Sequence, residues 1–389
     1  MNESDHSLPL RGITVVEFAA IGPAPFCCML LSDMGARIIR IDRTHSVDLG
    51  VNQNRQFDLL NRGRESIALD LKSAQGIEIS KRLLRHADVL VEGFRPGVLE
   101  RLGLGPEDCR ELNPGLVYGR MTGWGQSGPV AAQAGHDINY IALSGALNAI
   151  GEKNRKPVPP LNLVADFGGG ALYLAFGILC ALMERQQSGQ GQVVDAAMVD
   201  GVNSLLTGIR GLLQSAQWTI DRGDNILDGG APYYDVYETA DQRYLSVGAI
   251  ENRFFRELID ILGLAPAYTD KQNDRGAWPE MRKSISEKIK SRDLQYWKAK
   301  FADSDACVFP VLDFNEVTEH PHHQARGNFQ SIDGALHPSP APRLSRTPAR
   351  IQSGPALPGQ HSLEILRELG YTAAQINTLI NNDTVSTGS

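Results

Sequence analysis

Apolar residues collect in short β-branched runs separated by helical stretches. Residues 13–19 (ITVVEFA) form such a run, followed by the turn GPAP, the apolar helical stretch PFCCMLLSDMGA and a second run at 37–42 (RIIRID). With further runs at 87–93 (ADVLVEG) and 116–123 (LVYGRMTG), this β-turn-α-β start predicts a parallel sheet flanked by helices. Residues 168–185 are apolar around most of their circumference and predict a helix buried in the same domain, with a strand after it at 192–199 (QVVDAAMV). No apolar run is expected to reach the length of a membrane span.

After Trp218 the pattern changes. A polar, glycine-rich stretch leads into strand-like YDVYET and RYLSVGA, then the helix NRFFRELIDILG. The expected organisation is a large domain over 1–200, a linker over 201–224, a smaller α+β domain over 225–325, a Pro/Ser/Gly-rich return linker over 326–360, and C-terminal helices of the large domain over 361–389. The last helix opens with a capping-box pattern at Thr372 and Gln375. The predicted class is α/β, Rossmann-like, with an inserted smaller α+β domain. The first turn reads GPAP where a dinucleotide site needs GxGxxG, so NAD binding is not expected even though Asp42 ends the second strand.

Composition narrows the function. The chain has 389 residues, a formal charge of -7 and a pI near 5.8, which argues against nucleic-acid or anionic-membrane binding. An anionic ligand therefore has to be held by a local group of arginines. Arg40, Arg43, Arg62, Arg64, Arg95 and Arg101 recur near predicted strand ends; each reads most simply as a surface charge, yet such strand ends are where phosphate-bearing ligands bind in open α/β sheets. Cys27, Cys28, Cys109, Cys180 and Cys307 form no CxxC or metal spacing, so reduced thiols are expected, with no disulfide and no structural zinc. The polar start MNESDHSLPLRG and the final TGS, which is not a peroxisomal tripeptide, leave a cytoplasmic protein as the expectation.

Two side chains suggest proton chemistry. His136 sits in a Gly-His-Asp turn before an apolar helix, and Asp166 sits just before the long apolar helix, with Gly168, Gly169 and Gly170 after it. Read singly, Asp166 is an ordinary N-cap, His136 a loop histidine and Glu251 a first-turn acid. Read together, an imidazole and a carboxyl on opposite sides of a pocket are what moving a proton across a carbon needs, and free helix-end amides near Asp166 would stabilise a developing enolate. The cluster EHPHHQ is broken by Pro321 and lacks a helical i, i+4 pair, so no metal site is expected there.

At this point the motifs LRGITVVEFAAIGPAP, VEGFRPGVLERLGLGPE, MTGWGQSGP, AGHDINYIALSGAL, PLNLVADFGGG and GQVVDAAMVDG are decisive. Over nearly its whole length the chain resembles the alpha-methylacyl-CoA racemases of the class III (CaiB/BaiF) CoA-transferase superfamily, with GHDINY marking the racemase branch. The resemblance implies an isomerase in which His136 and Asp166 are the catalytic acid-base pair, Glu251 an acid beside the site, Glu92 the residue that orients the histidine, and Asp137 a further neighbour. It also implies that Arg43, Arg95 and Arg101 hold the CoA phosphates and that Ile21 packs on the nucleotide.

The same resemblance implies an acyl-CoA substrate, an interlocked homodimer in which Glu251 comes from either chain, and no cofactor other than the CoA carried by the substrate. The alternative is a CoA-transferase using Asp166 as nucleophile, which would not need His136. The chain departs from its relatives at residues 44–57 and in the tail after Gly359. The acyl group stays open: Met121 and Met198 would suit varied branched chains, though core packing is the commoner use of such residues.

Overall fold

Five of the first six strands run where β-branched residues cluster. They are β1 (Thr14–Phe18), β2 (Arg37–Asp42), β4 (Val89–Glu92), β5 (Val117–Thr122) and β6 (Val193–Ala197); β3 (Arg64–Leu69), which carries two charges in RESIAL, is the sixth. Six more strands follow: β7 (Tyr234–Glu238), β8 (Tyr244–Gly248), β9 (Val308–Pro310), β10 (Phe329–Ile332), β11 (Ala335–Pro338) and β12 (Val385–Ser386). The structure is a computed structural model that describes residues 8–45 and 54–388. The polar start at 1–7, residues 46–53 of the divergent stretch and the last residue lie outside the described residues.

The main sheet has the order β12-β3-β2-β1-β4-β5-β6, parallel throughout except for β12, which pairs antiparallel with β3 through Val385↔Leu69. Strand order reverses between β1 and β4, so the loops leaving the carboxyl ends of these two strands flank the crevice where open α/β sheets bind ligands. One face, with Val16, Phe18, Ile39 and Ile41, packs on Ile79, Leu83 and Leu84 of the helix Ala74–His86 and on Ile365, Leu366, Ile376 and Leu379 of the C-terminal helices. Ser73 Oγ starts the first of these helices by accepting the Gly76 N–H (2.9 Å). The capping box read at Thr372 and Gln375 is formed, and the tail after Gly359 continues into β12 at the sheet edge.

The chain divides into one unit of residues 1–144, 161–205 and 325–389 and a second of 145–160 and 206–324. Against the expected organisation, 145–160 goes with the second unit, because Gly145 (φ +87°) ends the helix Asp137–Ser144. The expected linker 201–224 takes in the end of the helix Met198–Leu205 and the whole helix Thr207–Gln214, and the expected return linker contains the β10-β11 hairpin. In the second unit the antiparallel sheet β7-β8-β9 covers a core of Phe255, Leu258, Trp278, Met281 and Trp297.

The long apolar helix differs from expectation in two ways. Residues Leu163–Ser188 are long and apolar enough to cross a membrane by length and composition, although no such run was expected. They pack against β5, β6 and the helix Pro23–Asp33, as a core helix does, yet their outer face is open: Phe176 is 67% and Met183 68% exposed, so the helix is not buried on all sides within one chain.

Candidate active site

Asp166 is not an N-cap. It lies in the first turn of a π-helical segment, Leu163–Ala171, that runs directly into the α-helix Leu172–Ser188. Wide π turns are uncommon and concentrate at functional sites. Gly169 and Gly170, with Gly201 opposite, serve packing rather than ligand approach. A Cβ on Gly169 would lie 2.8 Å from Val202 N, one on Gly170 2.8 Å from Met198 Cγ, and one on Gly201 1.8 Å from Gly169 O. The helix Met198–Leu205 can therefore press backbone to backbone against the π segment, and Met121 and Met198 are buried core residues.

Asp137 starts that segment. Its Oδ2 accepts the N–H groups of both Ala165 and Asp166 (2.8 Å each), while its buried Oδ1 has no partner among the described residues. Two of the amides at this helix end are therefore engaged by Asp137. Asp166 itself accepts from Asn162 Nδ2 (3.1 Å) and lies against the loop after β1, where a Cβ on Gly22 would come within 3.1 Å of Asp166 Oδ2. Phe26 and Phe167 stack beside it with ring centroids 4.6 Å apart. Burial holds the Asp166 carboxyl above its usual range; the Asn162 hydrogen bond opposes this, the Asp137 charge adds to it and His136 opposes it.

His136 immediately precedes the helix Asp137–Ser144. Its N–H donates to Asn139 Oδ1 (3.0 Å), its carbonyl accepts the Asn139 N–H (2.8 Å), and its exposed imidazole has no hydrogen-bond partner among the described residues. The Asp137 and Ile138 N–H groups at this helix start likewise have no acceptor among the described residues. The turn before it is fixed by Tyr140, whose hydroxyl donates to Gly135 O and whose ring meets Trp124 edge-on at 4.7 Å. Burial pushes the Tyr140 hydroxyl up to about 12, with Asp166 adding and Arg95 opposing, so these three groups share one electrostatic neighbourhood.

Glu92 makes no hydrogen bond to His136 in this structure. Both its oxygens are engaged, Oε1 by Arg120 Nε (3.0 Å) and Oε2 by the Phe94 N–H (2.7 Å). Burial raises its carboxyl to about 7 against the pull of those two donors. Arg120, which the sequence did not single out, also reaches Glu100 (2.9 Å) and so ties down the loop after β4. A charged residue inside a strand buried on both faces was the available signal. Glu251 is exposed at the start of the helix Asn252–Leu262 in the second unit and makes no side-chain capping bond.

The six arginines separate cleanly. Arg40, Arg62 and Arg64 are not surface charges: they are buried and paired, Arg40 with Glu17 (3.1 Å) and Asp42 (2.9 Å), Arg62 with Asp33 (2.6 Å), and Arg64 with Glu17 (3.0 Å). Arg43, just past β2, Arg95, just past β4, and Arg101 are exposed and hold no ion pair among the described residues. Ile21, in the loop after β1, is half exposed. No group of three or more His, Cys, Asp or Glu side chains able to hold a metal occurs among the described residues, and all five cysteines are free.

The sequence matches the profile described as CoA-transferase family III over residues 10–362. It is 46% identical over 371 residues to the alpha-methylacyl-CoA racemase of Mus musculus, covering 94% of this chain and 95% of that one. To the alpha-methylacyl-CoA racemase of Homo sapiens it is 44% identical over 383 residues, 97% of each chain. Among solved structures, a CaiB/BaiF family protein from Brucella suis superposes with a TM-score of 0.80 at 26% identity, covering 93% of this chain and 99% of that one.

Proposed function

The chain belongs to CoA-transferase family III, and from that premise we propose that it interconverts the (R) and (S) epimers of 2-methylacyl-CoA thioesters by moving the proton on the 2-carbon. For the (S) epimer, neutral His136 removes the proton and protonated Asp166 returns one to the opposite face; for the (R) epimer the roles reverse. Each turnover leaves one proton shared by the pair, so the carboxyl has to hold a proton more readily than an ordinary aspartate. The observation that carries this reading is that burial, together with the Asp137 charge, favours the protonated form of Asp166, while the unengaged His136 imidazole lies within its electrostatic reach.

The electron pair left by the proton moves onto the thioester oxygen. With the Ala165 and Asp166 amides occupied by Asp137, the N–H groups of Asp137 and Ile138 beside His136, which have no acceptor among the described residues, serve as donors to that oxygen. Arg43, Arg95 and Arg101 hold the CoA phosphates, Ile21 lies against the nucleotide, and Glu251 acts near the site in the assembled protein. Glu92, through Arg120 and the Phe94 N–H, fixes the loop that carries Arg95. No metal or redox cofactor takes part in this scheme.

Assembly into a homodimer belongs to the same reading. The open apolar face of Leu163–Ser188, with Leu172, Phe176 and Met183 exposed, is supporting evidence, because such a face is normally covered by a partner. A cytoplasmic location fits five free thiols. The transferase reading, with Asp166 as nucleophile, gives the test: a single epimer is incubated with the protein and an acceptor acid. Loss of optical purity with the CoA left on its original acyl group is the expected result, and CoA passing to the acceptor with the 2-carbon untouched would overturn the proposal.

A further inference from the structure

The sheet has a second opening, at the amino ends of β2 and β3, away from the strand ends that carry Arg43 and Arg95. A cavity of about 460 Å³ lies there, framed by Arg37, Arg350, Gln352 and His361 with Leu8 and Ile38 as its apolar wall. That volume falls within the roughly 300–1,000 Å³ of small-molecule sites.

Its polar groups are unequally engaged. Arg37 is shared by Glu65 (2.6 Å) and Glu368 (2.7 Å), and Glu65, the one carboxylate lining the cavity among the described residues, turns both its oxygens to that guanidinium. Arg350 is fixed through its backbone N–H to Asp33 O (3.0 Å), but its guanidinium has no ion pair or hydrogen bond among the described residues. His361 Nδ1 accepts the Ser66 N–H (3.1 Å), which leaves the proton of the neutral ring on Nε2 as a donor with no acceptor among the described residues. A planar guanidinium fork and an imidazole N–H on one cavity wall, with the lining carboxylate among the described residues already bound to Arg37, are complementary to an oxyanion.

We propose that this cavity binds a small molecule with an oxyanion head, phosphate or carboxylate, separately from the acyl-CoA site. The bound anion joins the stretch around Arg350 and His361 to the start of β2, so it stabilises the folded chain as well as occupying the cavity.

Footprinting tests this on the full chain with CoA saturating. Arginines are modified with phenylglyoxal and mapped by mass spectrometry, at constant ionic strength, with inorganic phosphate in one arm and succinate in the other. The expected result is a several-fold slowing of modification at Arg350 by at least one anion, with exposed Arg110 unchanged as the internal control; the protecting arm identifies the head group. The same anion raises the thermal midpoint of the native protein but not of Arg350→Ala. Equal modification of Arg350 with and without both anions, or an equal thermal shift in Arg350→Ala, would overturn the proposal.

Discussion

Arg40 and Arg43 are three residues apart, yet they belong to different chemistries. Arg40 lies inside β2, opposite Glu17 of β1, where helices cover the sheet; an unpaired charge there would cost several kcal/mol, so Arg40 and Arg64 share the Glu17 carboxylate. Arg43 lies just past the end of the same strand, exposed and without a carboxylate partner among the described residues, as do Arg95 and Arg101 beyond β4. The interior arginines are part of the fold, while those past the strand ends remain available for a ligand. In a parallel sheet, whether a charge lies before or after the last strand residue decides which of these it is.

The sharpest test of this contrast is Arg64→Ala. It leaves Glu17 partly unpaired at 0% exposure, so unfolding stability should drop by roughly 3–5 kcal/mol in a urea titration. Arg95→Ala should do the opposite: stability within about 0.5 kcal/mol of native, and KM for acyl-CoA raised about tenfold or more through loss of a charged hydrogen bond. If Arg95→Ala unfolds the protein, or Arg64→Ala leaves stability untouched, the division between fold and ligand arginines fails.

A smaller effect is expected at Asp166. Its carboxyl is raised in the folded state, so folding takes up a proton, and the stability it contributes is full below the usual aspartate range and lost as pH rises through the folded value. Asp166→Asn removes that dependence. The variant should be no more stable than native at low pH but should gain on it as pH rises toward neutrality, while racemisation is lost. Thermal midpoints across pH for the two proteins check the sign.

Most of the sheet was legible because its strands are runs of Val, Ile and Leu bounded by glycine, and the Thr372 capping box was legible because it is a local device. β3 was missed, since RESIAL carries an arginine and a glutamate whose partners, Glu17 and Arg37, lie on other strands. The passage of 145–160 into the second unit follows a single left-handed glycine in a segment that otherwise reads as helix. His136 and Asp166 could be named from their motifs, but the part played by Asp137 could not. That role depends on a contact across 28 and 29 residues of chain, made possible by the close glycine packing that supports the π turn.

In the proposed reaction His136 and Asp166 exchange one proton across the 2-carbon. NMR of each single-epimer 2-methylacyl-CoA in deuterated water, with native protein, His136→Ala and Asp166→Ala, tests it most directly. Deuterium should enter the 2-carbon with loss of optical purity in the native protein. In the variants, racemisation should fall by roughly 10²–10⁴-fold, with residual washout surviving for one epimer only: the (R) form in His136→Ala and the (S) form in Asp166→Ala. Native-like racemisation of both epimers by either variant would contradict it.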